Sequence, residues 1–400
     1  MQYRKMPKTG DELSALGFGC MRLPMKNGRI DEERAISQIR YAIDNGVNYV
    51  DTAWPYHGGE SEIVLGKALR DGYREKVRLA TKLPSWLLES RADMDKYLNA
   101  QLEKLGTDKI DYYLVHTLNG ALWKTVRELG VTEFLDQAKK DGRIVNAGFS
   151  FHGQGADFAP IVDAYNWDFC MIQYNFLDQE YQAGTAGLKY AASKGLGLIA
   201  MEPLRGGYLA NTPPAEIQHI WDEAETKRSH VDWSLRWIWN HPEVKVIISG
   251  MNEETHIERN IASACDSFPD SLTEKELSIV NRVGKKYKEL MKVGCTGCGY
   301  CMPCPVGVDI PGAFNCYNLA FLTGMENAGF HYILGLSGVT ADGEKGYASM
   351  CVSCGECIDK CPQFIQIPDV LKDVAAKFEG EGFEERSAGV IKMFVDNLKK

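Results

Sequence analysis

The sequence predicts an α/β protein: a (β/α)8 barrel of the TIM type followed by a small, mainly helical, cysteine-rich domain. Two observations carry this. Eight short apolar runs alternate with amphipathic stretches between Ser14 and Ala264, and most have no polar alternate face. Strands buried on both sides look like this, and strict strand–helix alternation favours a closed parallel barrel. Of the 12 cysteines, only Cys20, Cys170 and Cys265 precede residue 291, and the others crowd into the segment beyond it.

The first run, SALGFG, ends at Gly19. Residues 31–45 read as a helix, started by Asp31 and stopped by Gly46. VNYVD ends at Asp51 and a helix over 61–69 follows. VRLATK ends at Lys82, with a helix over 91–105. IDYYLVH ends at His116, with a helix over 131–141. IVNAGFS ends at Ser150, with a helix over 158–164. FCMIQ ends at Gln173, with a helix over 184–194. GLGLIAM ends at Met201, and 229–240 is helical, its Trp233, Trp237 and Trp239 read as packing residues. VKVIIS ends at Ser249, before a helix over 255–263. A doubly wound open sheet is the rival, but no G-x-G-x-x-G turn follows an early strand. One more amphipathic helix, 272–291, closes the barrel domain, set at 1–291. The second domain is 292–400: two cysteine motifs, a Gly-rich loop over 324–348 between them, and a charged helical tail.

The formal net charge is −9 and the pI about 5.5. Nucleic-acid binding is not expected, because phosphate contacts need clustered Lys and Arg. No run reaches the roughly 20 apolar residues of a membrane helix. The opening MQYRKMPKTGDE has no apolar core and reads as no secretory signal, so a cytoplasmic location is expected.

In a barrel of this kind the chemistry sits at the C-terminal ends of the strands. Asp51, Lys82 and His116 end the second, third and fourth runs, and Tyr56 follows in DTAWPY. Each alone is an ordinary loop hydrogen-bond partner. Together they make a coherent set. A tyrosine hydroxyl is a poor acid near neutrality unless a cation lowers its pKa. Lys82 supplies that cation, Asp51 pairs with it, and His116 orients a carbonyl that accepts a hydride while Tyr56 protonates its oxygen.

These residues resemble a family. DTAWPY–HGGESE, LATKLP, DYYLVH and IVNAGFS look like motifs of the aldo-keto reductases, barrels that reduce carbonyls with NAD(P)H. QYN, MEPLRGG and SGMNEETHIERN look like further ones. The resemblance covers residues 1–291. It implies Tyr56 as general acid, with Asp51, Lys82 and His116 as its partners. It also implies nicotinamide contacts from Ser150 and Gln173, and a cofactor cleft lined by Met201, Pro203, Leu204, Ser249, Gly250 and Asn260. Three departures stand out. Met201 occupies the place of an aromatic ring that stacks on nicotinamide in relatives. Phe151 and His152 follow Ser150 where many relatives have Asn. Around the adenosine 2′-phosphate, where NADPH-specific relatives carry Lys and Arg, this chain offers Gly250, Glu253, Glu254, His256 and Arg259.

The second domain contains CTGCGYCMPCP at 295–305 and CVSCGECIDKCP at 351–362. The latter is C-x2-C-x2-C-x3-C-P, the bacterial ferredoxin run in which the last Cys serves the neighbouring cluster. On that logic Cys295, Cys298, Cys301 and Cys361 hold one [4Fe–4S] cluster, and Cys351, Cys354, Cys357 and Cys304 hold the other. The first motif is one residue shorter before Cys304. Zinc is the alternative, since paired C-x2-C spacings suit tetrahedral Zn²⁺. A zinc site has no use for a third and fourth close thiolate followed by Pro. The long, partly helical connection resembles the helical two-cluster ferredoxins. Cys20, Cys170, Cys265 and Cys316 read as buried core thiols.

The expected function is NAD(P)H-linked reduction of an aldehyde or ketone by a chain that also carries two [4Fe–4S] clusters for electron transfer or structure. A small carbonyl or alcohol is the substrate. Two other readings stand beside it: an electron-transfer protein whose barrel is a docking or sensing module, and a non-redox barrel with structural clusters. From Cys295 onward Asp and Glu outnumber Lys and Arg, which suits a basic one-electron redox protein as partner.

Overall fold

The computed structural model describes residues 1–323, 325–338 and 344–398. Eight parallel strands close a barrel: β1 (Leu16–Gly19), β2 (Tyr49–Asp51), β3 (Arg78–Leu83), β4 (Ile110–Leu118), β5 (Ile144–Phe151), β6 (Phe169–Gln173), β7 (Gly197–Met201) and β8 (Val244–Ser249). Each pairs with its neighbour in sequence, and β8 pairs with β1 through Ile247 and Leu16. The expected fold class is the observed one. The long runs β4 and β5 are buried along almost their whole length.

The end of the barrel away from the strand C-termini is sealed by the chain's own start. Tyr3–Lys5 and Glu12–Ser14 form an antiparallel pair. Met6 and Leu13 pack with Tyr49, Tyr112, Phe169 and Val246 inside the barrel. Gly197 opens β7 because Met6 passes over it: a Cβ there would lie 2.1 Å from Met6 Cε. With one end plugged, polar residues collect at the other.

Helices follow the strands where amphipathic patterns predicted them. They are α1 (Glu32–Asp44), α2 (Ser61–Ala68), α3 (Arg91–Leu105), α5 (Val131–Lys140), α6 (Gly155–Asp163), α7 (Gly184–Ser193), α9 (His230–Trp239) and α10 (Glu254–Cys265). Two more, α4 (Gly120–Glu128) and α8 (Ala215–Asp222), are additional to the expected set. The Asp31 side chain caps α1 by accepting from Arg34 N. Trp233, Trp237 and Trp239 are buried, and Trp239 Nε1 donates to Ala15 O at 2.9 Å, as packing residues do. Cys265 departs from its expectation. It is exposed at the end of α10 rather than buried in a core.

The chain divides into two compact units that do not follow sequence order. Unit 1 is Met1–Leu204 with Thr226–Val280, and unit 2 is Arg205–Glu225 with Asn281–Lys400. The boundary expected after residue 291 therefore falls inside α11 (Glu274–Leu290), and the segment following β7 groups with the cysteine-rich part. Ion pairs hold that segment in unit 2: Arg282 with Glu223 at 2.5 Å and Lys286 with Glu216 at 2.5 Å.

Unit 2 packs α12 (Ile310–Thr323), α13 (Met325–Leu336), α14 (Ile367–Phe378) and α15 (Phe383–Leu398) around Val308, Phe314, Tyr332 and Phe378. Tyr332 stacks on Phe378 with centroids 4.4 Å apart. The stretch 324–348, read from sequence as a loop, contains α13. Its glycines obscure an apolar stripe of Ala328, Tyr332 and Leu336 at helical spacing, all buried. Gly324 and residues 339–343 lie outside the described residues. Asn318 on α12 accepts from Lys292 N and Val293 N and donates to Val293 O. This buried amide pins the stretch of chain that enters the first cysteine motif.

Candidate active site

Parallel strands of a barrel end on one rim, and the predicted residues of unit 1 lie on it or in the turns just beyond, apart from Asn260, which lies within α10. Asp51 ends β2, Lys82 lies near the end of β3, His116 near the end of β4, Ser150 near the end of β5, and Gln173, Met201 and Ser249 end β6, β7 and β8. The chain turns sharply beside several of them. His57, Thr117 and Glu202 have φ of 51°, 58° and 56°, a left-handed conformation that costs non-glycine residues and persists where the surroundings fix it.

Lys82 Nζ donates to Asp51 Oδ1 at 2.5 Å and to Thr52 O at 2.7 Å, with the Lys82 and Asp51 side chains only 1% and 4% exposed. Burial raises the Asp51 carboxyl's pKa, and Lys82 opposes that rise. The other carboxylate oxygen, Oδ2, is buried with no hydrogen-bond partner among the described residues. Lys82 Nζ lies 5.1 Å from the centre of the Tyr56 ring, and the Tyr56 and His116 rings meet edge-on with centroids 6.2 Å apart. Trp86 covers His116 at 5.2 Å. Burial, then the Lys82 charge and His152, hold His116 well below its ordinary pKa. It is therefore a neutral imidazole near pH 7. The structure thus brings Asp51, Tyr56, Lys82 and His116 into one group.

Behind Lys82 lies a buried polar layer. Glu62 accepts from Thr81 Oγ1 and Gln101 Nε2, each at 2.7 Å, and Gln101 Nε2 also donates to Lys82 O at 3.0 Å. Tyr113 completes it by donating to Gln101 Oε1 at 2.8 Å. The layer fixes the end of β3. Glu62, Thr81 and Tyr113 lie inside the quoted motifs HGGESE, LATKLP and DYYLVH, whereas Gln101 had no sequence signal.

The predicted cofactor contacts form a second arc. Ser150 Oγ accepts from Thr117 N at 2.8 Å. Gln173 lies beside Met201 in the β6–β7 register; its amide donates to Asp178 Oδ2 at 2.7 Å and accepts from Gln182 at 3.3 Å. Asn260 donates to Ser249 Oγ at 3.1 Å. Gly250 lies under Arg22, whose Cβ would come within 3.2 Å of a side chain there. Pro203 is buried, while Met201 and Leu204 are half-buried.

His152 was legible only as a departure from a pattern. It lies just past β5, 7% exposed, with Nδ1 lacking a partner among the described residues. Burial lowers its pKa to about 4; a Gln182 hydrogen bond raises it and the Lys82 charge lowers it further. A histidine whose native pKa lies below its unfolded value of about 6.5 takes its proton first in the unfolded chain. Stability should therefore fall as pH drops from about 6.5 toward 4. His152→Gln should flatten the dependence of the thermal midpoint on pH across that window, and an unchanged slope would remove His152 as a cause.

In unit 2 the thiols fall into two groups. The Cys301 thiol is pushed up to about 12 by burial and then by Cys298, Cys295 and Cys361. Cys357 is raised by burial and by Cys351, Cys354 and Cys304. A small hollow is walled by Cys301, Cys304, Cys351, Cys354 and Cys357. Cys361 stands among the thiols of the first motif, and Cys304 among those of the second. Two groups of thiolate donors spread around a space fit clusters that are themselves bodies of iron and sulfide.

Among the described residues no helix is long and apolar enough to cross a membrane. Comparison with known proteins gives two family matches, the aldo/keto reductase family over residues 15–284 and a 4Fe-4S dicluster domain over 294–366. L-galactose dehydrogenase of Arabidopsis thaliana is 25% identical, over 72% of this chain and 96% of its own length. The NADH-specific methylglyoxal reductase of Escherichia coli is also 25% identical, over 67% of this chain and 95% of its own. A holo-form aldo-keto reductase structure from Bacillus halodurans matches with a TM-score of 0.60 and 25% identity, covering 71% of this chain and 96% of that one. With its barrel matched through the strands that carry the rim, the chain belongs to the aldo/keto reductase family, is an oxidoreductase, and carries a 4Fe-4S dicluster domain after the barrel.

Proposed function

We propose that the chain reduces a small aldehyde or ketone, or oxidises the matching alcohol, with Tyr56 moving the proton at the substrate oxygen. A bound nicotinamide supplies or takes the hydride at carbon. The observation that carries this reading is the buried Lys82–Asp51 pair beside the Tyr56 ring. A fixed cation there favours the tyrosinate left when Tyr56 gives up its proton. His116, neutral, can hydrogen-bond the carbonyl without competing as an acid. Ser150, Gln173, Met201, Pro203, Leu204, Ser249, Gly250 and Asn260 are the residues proposed to hold the cofactor. One relative is named for L-galactose and another for methylglyoxal, and a small oxygenated carbonyl or its alcohol is the class carried over. The test is anaerobic turnover on a panel of aldehydes and ketones with each nicotinamide. No turnover with either would favour the docking-module reading.

The cofactor preference follows from charge. Arg34 is held by Glu253 at 2.6 Å and by Glu254 at 2.6 Å and 2.9 Å, and Gln38 also donates to Glu254. The Arg34 charge is thus already neutralised, and its hydrogen bonds hold the Glu254 carboxyl far below its usual range. A 2′-phosphate brought to this turn meets two carboxylates. The expected result is a kcat/KM favouring NADH by about tenfold or more, roughly 1.4 kcal/mol. Joint Glu253→Ala and Glu254→Ala replacement should shift the ratio toward NADPH by freeing Arg34. An NADPH preference in the parent protein would mean that another cation reaches the phosphate.

The eight motif cysteines are proposed as ligands of two [4Fe–4S] clusters, Cys295, Cys298, Cys301 and Cys361 for one and Cys304, Cys351, Cys354 and Cys357 for the other. Such clusters supply one-electron transfer. A one-electron protein with a basic docking face is the partner this acidic unit suits.

A further inference from the structure

The turn that carries Tyr56 is held by a side chain that the proposed reaction does not use. Tyr56 N donates to Ala53 O at 3.2 Å. The next three residues, His57, Gly58 and Gly59, all take positive φ, at 51°, 63° and 93°. Glycines adopt such angles freely, whereas a histidine does so only where its surroundings hold it. Here they do. His57 Nε2 accepts from Leu23 N at 3.1 Å, and Leu23, just past β1, is buried. His57 O accepts from Glu60 N at 3.2 Å. Farther along, Gly59 O accepts from Lys104 Nζ at 3.4 Å, and Glu60 pairs with Arg29 at 3.0 Å. Lysine, arginine and glutamate side chains keep their charge across the neutral range, so of these fastenings the imidazole is the one that changes state there.

We propose that His57 is a positioning residue for Tyr56, a clamp that is closed while its imidazole is neutral and opens when the ring takes a proton. The inference rests on Tyr56 as the proton donor. An imidazole nitrogen accepts only while it carries no hydrogen, so Nε2 facing Leu23 N places the neutral ring's hydrogen on Nδ1. Protonation sets a second N–H against that of Leu23. Two donors cannot bond, and the buried Leu23 N–H loses its partner. The left-handed backbone at His57 is then no longer offset by that bond. The Tyr56 hydroxyl in turn loses the fixed placement that proton transfer needs. Charged groups on the segments packed around the turn are Arg22 before Leu23, Glu60 with Arg29, Glu62 with Lys104, and the Lys82–Asp51 pair facing the Tyr56 ring. Burial lowers the His57 pKa below its ordinary 6.5, and Glu60 works against that fall. The clamp should therefore open below pH 6.5, on the acid side of neutrality.

The test uses the full-length protein prepared anaerobically, with carbonyl turnover followed from about pH 8 down to about pH 5, the range in which histidine titrates. In the parent protein kcat should fall below pH 6.5 while NADH affinity holds. His57→Gln offers an amide oxygen that accepts at every pH. Its kcat at about pH 8 should stay within about threefold of the parent, and its acid fall should move down by about one pH unit or more. His57→Gly keeps the left-handed backbone but offers no acceptor. Its kcat should be lower by about tenfold or more throughout, with NADH affinity unchanged. A parent-like acid fall in His57→Gln, or parent-like kcat in His57→Gly, would overturn the proposal. A second readout does not depend on turnover. With nitrogen-15 histidine, the imidazole signal that His57→Gln removes should be that of an Nδ1–H tautomer at about pH 8 and should titrate below pH 6.5. An Nε2–H tautomer would overturn the clamp itself. The expected tautomer in a protein that reduces no carbonyl would instead fault the role of Tyr56 on which the inference rests.

Discussion

Replacing Tyr56 by Phe should lower kcat/KM for carbonyl reduction by about 10²–10⁴-fold, the usual contribution of a positioned acid. The ring that Lys82 faces at 5.1 Å and that meets His116 edge-on is retained in phenylalanine. Only the hydroxyl is lost. NADH affinity, read by quenching of protein fluorescence, should therefore stay within about a factor of three, and the loss should appear in kcat. The residual rate would come from hydride transfer to a carbonyl that His116 still polarises. Unchanged turnover in Tyr56→Phe would remove Tyr56 as the acid. A loss confined to NADH binding would make it a cofactor contact instead.

The second large effect concerns the thiols, and double substitution separates the two groups. The parent protein should contain about eight irons per chain with matching sulfide. Cys361→Ser and Cys298→Ser should each lower that to about four, since each removes one ligand of one cluster. Combining them should still leave about four, because both act on the same cluster. Combining Cys361→Ser with Cys357→Ser should leave almost none. This non-additivity is the signature of shared membership, and it reads the crossing of Cys361 directly. The coupling of Cys301 to Cys361, and of Cys357 to Cys304, is what motivates it. If the Cys361 and Cys357 double variant instead kept about four irons, Cys361 would belong to its own motif. Stoichiometric zinc in anaerobic protein would defeat the iron–sulfur assignment altogether.

Some of this molecule was determined by sequence alone. A strand buried on both faces must be a short apolar run, so a polar residue at its end is conspicuous. That made Asp51, Lys82 and His116 readable from the order of residues, and the alternation of runs made the closed barrel readable with them. Three of the thiolates that wrap a cluster come from one short run, so C-x2-C-x2-C-x3-C-P declared itself. Other features were decided only by the tertiary fold, because they join residues distant in the chain. Arg34 meets Glu253 and Glu254 only when α1 and the start of α10 are brought side by side. Glu62, Gln101 and Tyr113 form a layer behind Lys82 only when α2, α3 and β4 pack together. His152 becomes a neutral neighbour of His116 because the barrel buries it, and no local pattern encodes burial at a strand end. The helix α13 was hidden by its glycines, whose backbone preference argues for a loop until Ala328, Tyr332 and Leu336 find a core to fill. Periodicity and spacing report what a segment does by itself, while burial, long-range charge pairing and cavities exist only after the chain has closed on itself.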